Sequence, residues 1–250
     1  ALLHSAEIAD GAREGSHFGV KSTFDGIDMA GVNSYKDGVI TKLYKGLTGL
    51  VKSRGITFIE GYGKLVAKDA VEVNGVRYTG KNVILATGSY AKTLPGLEID
   101  GEKIITSDHG TKMSYVPKSV IVLGGGVIGC EFASVWKSFG SDVTIIEGLP
   151  HLIALEDESS SKQLERAFRK RGIKFELGVR FQSAVKNADG VTVTLEDGKT
   201  FTAEVLMVSV GRGPVSANLG YEEQGISMDR GYVLVDDKCR TNVPGIWAVG

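Results

Sequence analysis

Ser119-Val-Ile-Val-Leu-Gly-Gly-Gly-Val-Ile-Gly-Cys-Glu131 is the stretch from which the rest of this chain is read. Four apolar residues, Val120 to Leu123, lead into Gly124-x-Gly126-x-x-Gly129, and the sequence from Cys130 to Phe139 then has helical character. That order predicts a strand, a tight turn and a helix. Gly124 permits the turn, Gly126 removes the side chain that would block an approaching anion, and Gly129 lets the helix pack closely on the sheet. Free N–H groups at the helix start then face the anion. In a chain with 34 glycines the pattern is weak by itself, so its context decides. Asp142-Val-Thr-Ile-Ile-Glu147 is a second apolar strand ending in an acid, 147 − 124 = 23 residues after the first glycine. A carboxylate there accepts hydrogen bonds from both ribose hydroxyls of an adenosine and repels a 2′-phosphate. Strand, glycines, helix and terminal acid together point to a dinucleotide.

The whole chain is compatible with an ordinary folded protein of one or two domains: 250 residues, 42% hydrophobic, 24% charged, net charge −1. No block of like charge suggests a nucleic-acid surface, and no apolar run approaches the roughly 20 residues of a membrane helix. Cys130 and Cys239 lie 109 positions apart with no Cys-x-x-Cys, and His4, His17, His109 and His151 lack ligand spacing. Two small, buried or half-buried free thiols and no metal are expected. Ala1 to Ala9 has helical spacing without a residue to cap it, and Gly245 to Gly250 stops in what reads as a strand or turn. The expectation is an internal piece of a longer protein.

Taken in order, Asp10 to Phe24 is glycine-rich and expected to be irregular. Asp28 to Arg54 carries Val32, Val39, Leu43, Leu47, Leu50 and Val51 at helical spacing, with Gly55 as the stop and lysines 36, 42, 45 and 52 on a solvated face. Thr57 to Gly63 reads as a short strand. Val71 to Tyr78 is a hairpin around Asn74-Gly75. Asn82 to Ser89 reads as a strand buried on both faces, with Thr87, Gly88 and Ser89 at the ligand-binding end. Residues 90–118 have linker-like punctuation. After Glu147 comes an irregular segment, then a helix over Glu158 to Lys170 and a strand from Ile173. Val191 to Phe201 is a second hairpin, around Asp197-Gly198, and Glu204 to Gly211 is another buried strand closed by glycine. Hairpin, apolar strand and glycine therefore occur twice, which argues for two related domains. Thr241 to Gly250 is either a return to the first domain or an edge strand of the second.

These residues resemble a known family. Gly61-Tyr-Gly63, Ala86-Thr-Gly-Ser89, Gly124 to Glu131 with the helix to Gly140, Val210-Gly-Arg212 and Thr241 to Gly250 look like the flavin-dependent disulfide reductases, closest to their dihydrolipoamide-oxidising branch. The resemblance covers essentially the whole chain. It implies an α/β fold with two related Rossmann-like, three-layer dinucleotide-binding domains carrying β-meander insertions, the first incomplete. It implies residues 1–113 as the later part of an FAD-binding domain, 114–240 as an NAD-binding domain, and 241–250 as the start of the return to the former. The FAD glycines and the redox cysteines would lie upstream.

By the same resemblance, Gly63, Thr87, Gly88 and Ser89 would lie against FAD. Gly124, Gly125, Gly126, Val127, Ile128, Gly129 and Cys130 would form the NAD fingerprint, with Glu147 on the adenosine ribose. Glu131 would approach the nicotinamide end, Gly211 would line the nicotinamide passage, and Phe181 would meet adenine through its backbone. Glu131 read alone is a helix first-turn acid, and Arg212 is either a nucleotide neighbour or a surface cation. No arginine occurs in Gly148 to Ala154, where NADP-using relatives place them, which favours NAD. The implied activity is oxidation of protein-bound dihydrolipoamide through a redox disulfide and FAD, with hydride transfer to NAD⁺. Expected partners are the lipoyl domains of 2-oxoacid dehydrogenase or glycine cleavage complexes and a second copy of the full-length protein. The setting would be bacterial cytoplasm, mitochondrial matrix or plastid. Alternatives are a soluble transhydrogenase or mercuric-reductase relative, or a non-catalytic nucleotide-binding module.

Overall fold

The computed structural model describes residues 1–250. They pack as two compact units, one made of residues 1–44 and 91–211, the other of residues 45–90 and 212–250.

The first unit is built on a five-stranded parallel sheet in the order Ile104–Ile105, Val205–Val208, Ser119–Leu123, Asp142–Glu147, Lys174–Leu177. Val120 to Leu123 are all buried because both faces of this central strand are covered. On one face, Val120, Val122, Val143 and Ile145 pack with Ala133 and Trp136 of one helix and Phe168 of another. On the other, Ile121, Leu123, Ile146, Leu206 and Val208 pack with Val191, Val193 and Leu195. The three layers are thus helices, parallel sheet and an antiparallel meander of Phe181–Asn187, Gly190–Leu195 and Thr200–Ala203. Truncating one of the fully buried residues, such as Ile121 or Ile145, to alanine costs about 2–5 kcal/mol.

The helices are α1 (Leu2–Glu14), α2 (Met29–Ser53), α3 (Ser107–Gly110), α4 (Val127–Phe139) and α5 (Glu158–Lys170). Helix α4 ends at Gly140, whose φ of 111° accommodates the left-handed cap that returns its N–H to Trp136 and Lys137. Helix α2 starts where Asp28 Oδ1 accepts the Ala30 N–H.

Several sequence expectations are revised. Helix α1 continues through Gly11 to Glu14, followed by a 3₁₀ turn over Gly15–Phe18, where an irregular segment was expected. Tertiary contacts override the glycine: Asp10 accepts from Ser138 Oγ at 2.6 Å and from Arg171 at 3.2 Å, anchoring that turn against α4. Residues 90–118 are more than a linker, since Ile104–Ile105 form an edge strand of the sheet and Thr106 with His109 makes a capping box on α3. Helix α2 has the expected extent, but none of its residues is buried, and Leu43 and Leu47 are 68% and 62% exposed. Among its lysines, Lys36 departs from a solvated face by donating to the Thr111 carbonyl at 2.7 Å. The strand Phe181–Asn187 went unread because its outward positions are polar and its alternation is imperfect.

In the second unit, Gly63–Ala67, Ala70–Val73 and Val76–Thr79 form a three-stranded meander. Asn74 and Gly75 both have positive φ, 52° and 79°, as a two-residue hairpin turn demands. Val83–Leu85 pairs in parallel with Ile246–Ala248, so the end of the chain returns to this unit. The core consists of Leu65, Leu85, Leu219, Tyr221, Ile226 and Ile246. Two expectations change here. Ile84 is 66% exposed, so its strand is not covered on both faces. Residues 57–62 make no strand, because no neighbouring strand supplies their ladder partners. Residues 212–240 also pack in this unit, through Leu219, Tyr221 and Ile226.

Meander followed by parallel strand therefore recurs in both units. No helix is long and apolar enough to cross a membrane.

Candidate functional site

In the first unit, the strand Ser119–Leu123 emerges at its C-terminal end into Gly124, with φ 109°. A β-carbon on Gly124 would strike the Ser209 carbonyl of the adjacent strand end, so both conformation and space demand glycine there. The chain then turns into α4 with Gly126 as its N-cap. A β-carbon on Gly126 would meet nothing within 4 Å and would project into the open space before the helix. A β-carbon on Gly129 would collide with the Gly124 carbonyl and the Ser209 hydroxyl, so glycine there lets the helix lie close on the strand end. No side chain caps α4 and no acid sits in its first turn, so its N-terminal N–H groups remain available to an external anion.

A cleft of about 660 Å³ opens at this point. Gly124, Gly126, Val127, Ile128, Glu147, Phe181 and Gly211 line it, which unites seven of the residues singled out by sequence. Gly125, Gly129 and Cys130 are buried behind it and shape the turn rather than its surface. Glu131 is exposed as the fifth residue of α4, past the first turn where the sequence reading placed it, because the helix starts at Val127, and it does not line the cleft. Glu147 closes its strand with both carboxylate oxygens held: Oε2 accepts the Gly125 N–H at 2.5 Å and Oε1 the Leu149 N–H at 2.7 Å. Each oxygen keeps a second acceptor site.

Cys130 is buried, its thiol 3.3 Å from the Gly125 carbonyl. Burial, reinforced by the charges of Glu147 and Glu131, pushes the thiol up to about 12. It is therefore a packing residue, not a nucleophile at neutral pH.

Sequence reasoning missed Ser209, Arg180 and the loop after Glu147. Ser209 sits at the end of the neighbouring central strand, its hydroxyl within 3.0 Å of the Gly124 carbonyl and 3.2 Å of that of Leu123. Arg180, beside Phe181, is the one cationic side chain on the cleft wall. Leu149, Ile153, Ala154 and Leu155 form another side of the cleft.

The second unit holds the other group. Gly63 opens the first meander strand opposite Val73. Thr87, Gly88 and Ser89 follow the strand Val83–Leu85 and are exposed. Thr87 Oγ1 donates to the Val215 carbonyl at 2.6 Å and lies 3.2 Å from the Tyr221 hydroxyl. Ser89 takes two bonds from Arg212, Nε to Oγ at 2.7 Å and a guanidinium N–H to the carbonyl at 2.6 Å. Arg212 is thereby a partner of Ser89 rather than a loose surface cation. Gly88 has φ 75° and no atom near its absent β-carbon, so the backbone is the face this segment offers.

The chain matches, over residues 1–250, the family model described as pyridine nucleotide-disulphide oxidoreductase. It is 41% identical over 261 residues to a dihydrolipoyl dehydrogenase of Cupriavidus necator, which covers all of this chain and 55% of that protein. It is 36% identical over 262 residues to the leghemoglobin reductase of Vigna unguiculata, covering 100% of the chain and 50% of the relative. The mitochondrial dihydrolipoyl dehydrogenase of Pisum sativum is 35% identical over 262 residues, with 100% and 52% covered. The chain thus spans about half the length of the curated relatives it matches. Among solved structures, LpdA of Mycobacterium tuberculosis superposes with a TM-score of 0.90 at 28% identity, covering 100% of this chain and 56% of that one. The HOCl-induced flavoprotein disulfide reductase RclA of Escherichia coli gives 0.83 at 25% identity, covering 100% and 54%. With its glycine turn, acid-ended second strand and full-length family match, the chain belongs to the pyridine nucleotide-disulphide oxidoreductases.

Proposed function

We propose that this chain supplies the NAD site, and part of the FAD site, of a dihydrolipoyl dehydrogenase: an oxidoreductase that oxidises protein-bound dihydrolipoamide through a redox disulfide and FAD and delivers hydride to NAD⁺. The observation that carries the reading is the cleft in which the open Gly126 and the uncapped start of α4 share a wall with the Glu147 carboxylate. Its volume is that of a small-molecule site. A pyrophosphate fits before the helix, where the N–H groups and the helix dipole favour negative charge. The free acceptor positions of Glu147 suit two ribose hydroxyls, and its charge opposes a 2′-phosphate. Phe181 and the loop beyond Glu147 exclude water from the adenosine end, while Gly211 leaves the opposite end open to a planar ring. Gly129 and Ser209 hold the turn in place. The bound cofactors supply the electron transfer; these residues bind and orient.

In this reading the NAD-binding domain lies within the first unit, residues 1–44 and 91–211, and Gly63, Thr87, Gly88 and Ser89 contact FAD through the backbone. Glu131 is assigned the nicotinamide end although it lies on α4 outside the cleft lining. The partners are lipoyl domains of 2-oxoacid dehydrogenase or glycine cleavage complexes, and the protein acts as a homodimer. Bacterial and mitochondrial relatives support a bacterial cytoplasm or mitochondrial matrix setting. The test is an assay of the full-length, flavin-loaded protein that contains this chain, redox cysteines included, for dihydrolipoamide-dependent NAD⁺ reduction. Robust turnover with NAD⁺ and little with NADP⁺ is expected; no turnover with dihydrolipoamide but rapid transhydrogenation would replace this substrate.

A further inference from the structure

We propose that Glu165, on helix α5 and outside the cleft, is a positioning residue that sets nucleotide affinity by fixing the loop of residues 148–156; the proposal rests on the nucleotide reading of the cleft. That loop contributes Leu149, Ile153, Ala154, Leu155 and Glu156 to the cleft wall. Its middle is held from behind. Glu165, with a side chain only 8% exposed, presents Oε1 to the Leu152 N–H at 3.2 Å and to His151 Nδ1 at 3.4 Å, and Oε2 to Arg169 at 3.4 Å. A buried carboxylate is costly unless hydrogen-bonded, and here a loop N–H and two basic side chains offset that cost.

The loop has a specific conformation to be held in. Ile153 sits at φ 44°, a left-handed conformation unfavourable for a β-branched residue, which persists only where the surroundings enforce it. Its N–H donates to the Gly125 carbonyl at 2.8 Å, within the glycine turn itself. Leu152 is fully buried, and a β-carbon on Gly125 would collide with its side chain. A side chain at the second residue of the fingerprint would therefore press on this loop and on Glu147. Leu149 meanwhile donates to Glu147 Oε1, so the loop also orients the ribose-binding acid. Removing Glu165 leaves the buried Leu152 N–H without its acceptor and frees the loop to leave this arrangement. If the binding arrangement is then occupied about a tenth of the time, the apparent Kd rises about tenfold.

The test is calorimetric titration of the protein with NAD⁺, ADP and nicotinamide mononucleotide, comparing wild type, Glu165→Leu and Glu165→Gln, with thermal melting of each. Glu165→Leu is expected to lose about tenfold in affinity for NAD⁺ and ADP, with nicotinamide mononucleotide unchanged. Glu165→Gln, whose amide oxygen can still accept the Leu152 N–H, should bind within about twofold of wild type. A folded Glu165→Leu variant with wild-type ADP affinity overturns the proposal alone, as does equal loss for ADP and the mononucleotide. If Glu165→Leu does not fold, amide exchange in Glu165→Gln decides: slow exchange at Leu152 supports the proposal, and exchange as fast as in an open loop overturns it. Wild type that binds neither NAD⁺ nor ADP removes the nucleotide reading and this proposal together.

Discussion

Glu147 is tied to Gly125 across the glycine turn, its Oε2 receiving that residue's N–H at 2.5 Å. The acid at the end of the second strand and the turn at the end of the first are therefore one rigid element, and the carboxylate is aimed before any ligand arrives. Glu147→Arg removes a charged acceptor of two ribose hydroxyls and the repulsion of a 2′-phosphate. Hydrogen bonds to charged groups contribute about 1.5–3 kcal/mol each, so NAD⁺ affinity should fall about tenfold or more. NADP⁺ affinity should rise. Parallel titrations with the two nucleotides check this, and unchanged affinities for both would remove Glu147 from the ribose role.

Gly126 and Gly129 separate binding from folding. Gly126→Val places methyl groups in open space, so the fold should melt within a degree or two of wild type while NAD⁺ binding is lost. Gly129→Ala forces a β-carbon against the Gly124 carbonyl, where backbone cannot yield cheaply. It should destabilise the protein by about 1–3 kcal/mol. Melting curves and nucleotide titrations on the two variants distinguish them; wild-type affinity in Gly126→Val would refute the open cradle.

The run from Val120 to Glu147 was legible because every part of its signal is local: an apolar strand, fixed glycine spacing, a helix stop at Gly140 and a terminal acid. Asn74-Gly75 was legible for the same reason. Ser209 was not, since its place beside Gly124 depends on a strand pairing between residues some 85 positions apart. Glu165 reads as one more acid on an amphipathic helix, and only tertiary packing turns it inward. The extent of α1 was misjudged because Gly11 lowers local propensity, whereas Asp10 is held by Arg171 and Ser138 from distant sequence.

The two cysteines should react differently, because only one of them is buried as expected and Cys239, on a turn with φ 60°, is open to solvent. Cys239 is exposed, whereas Cys130 is buried with its thiol pushed up to about 12. At pH 8 a maleimide or disulfide reagent should modify one thiol in the native protein and two after denaturation. The raised folded value also makes Cys130 a source of pH dependence. Its stabilising share is whole below the ordinary thiol value near 9 and declines as pH rises from there towards 12, because the unfolded chain ionises first. Cys130→Ala should therefore lose less stability than wild type between pH 8 and pH 11 in denaturant titrations. Equal slopes would contradict the burial assigned to this thiol.

Asp100 should behave in the opposite sense. Partial burial would raise its carboxyl, but N–H groups of Ile104, Glu102 and Lys103 and the ammonium of Lys186 outweigh that and hold it at about 2. The side chain is 22% exposed, and the same oxygen takes all three backbone bonds, at 2.8 to 3.0 Å. It thereby shapes the turn leading into the edge strand Ile104–Ile105, and through Lys186 at 3.0 Å it links that turn to the meander. A depressed folded value means the stabilisation is complete above about pH 4 and is lost as pH falls towards 2. The shift corresponds to about 2 kcal/mol at neutral pH. Asp100→Asn keeps an acceptor but loses the charge, so it should be less stable than wild type by about 2 kcal/mol at pH 7. The two should converge near pH 2. Urea titrations across that range measure the difference, and a gap that stays constant with pH would mean that the turn, rather than the charge, carries the effect.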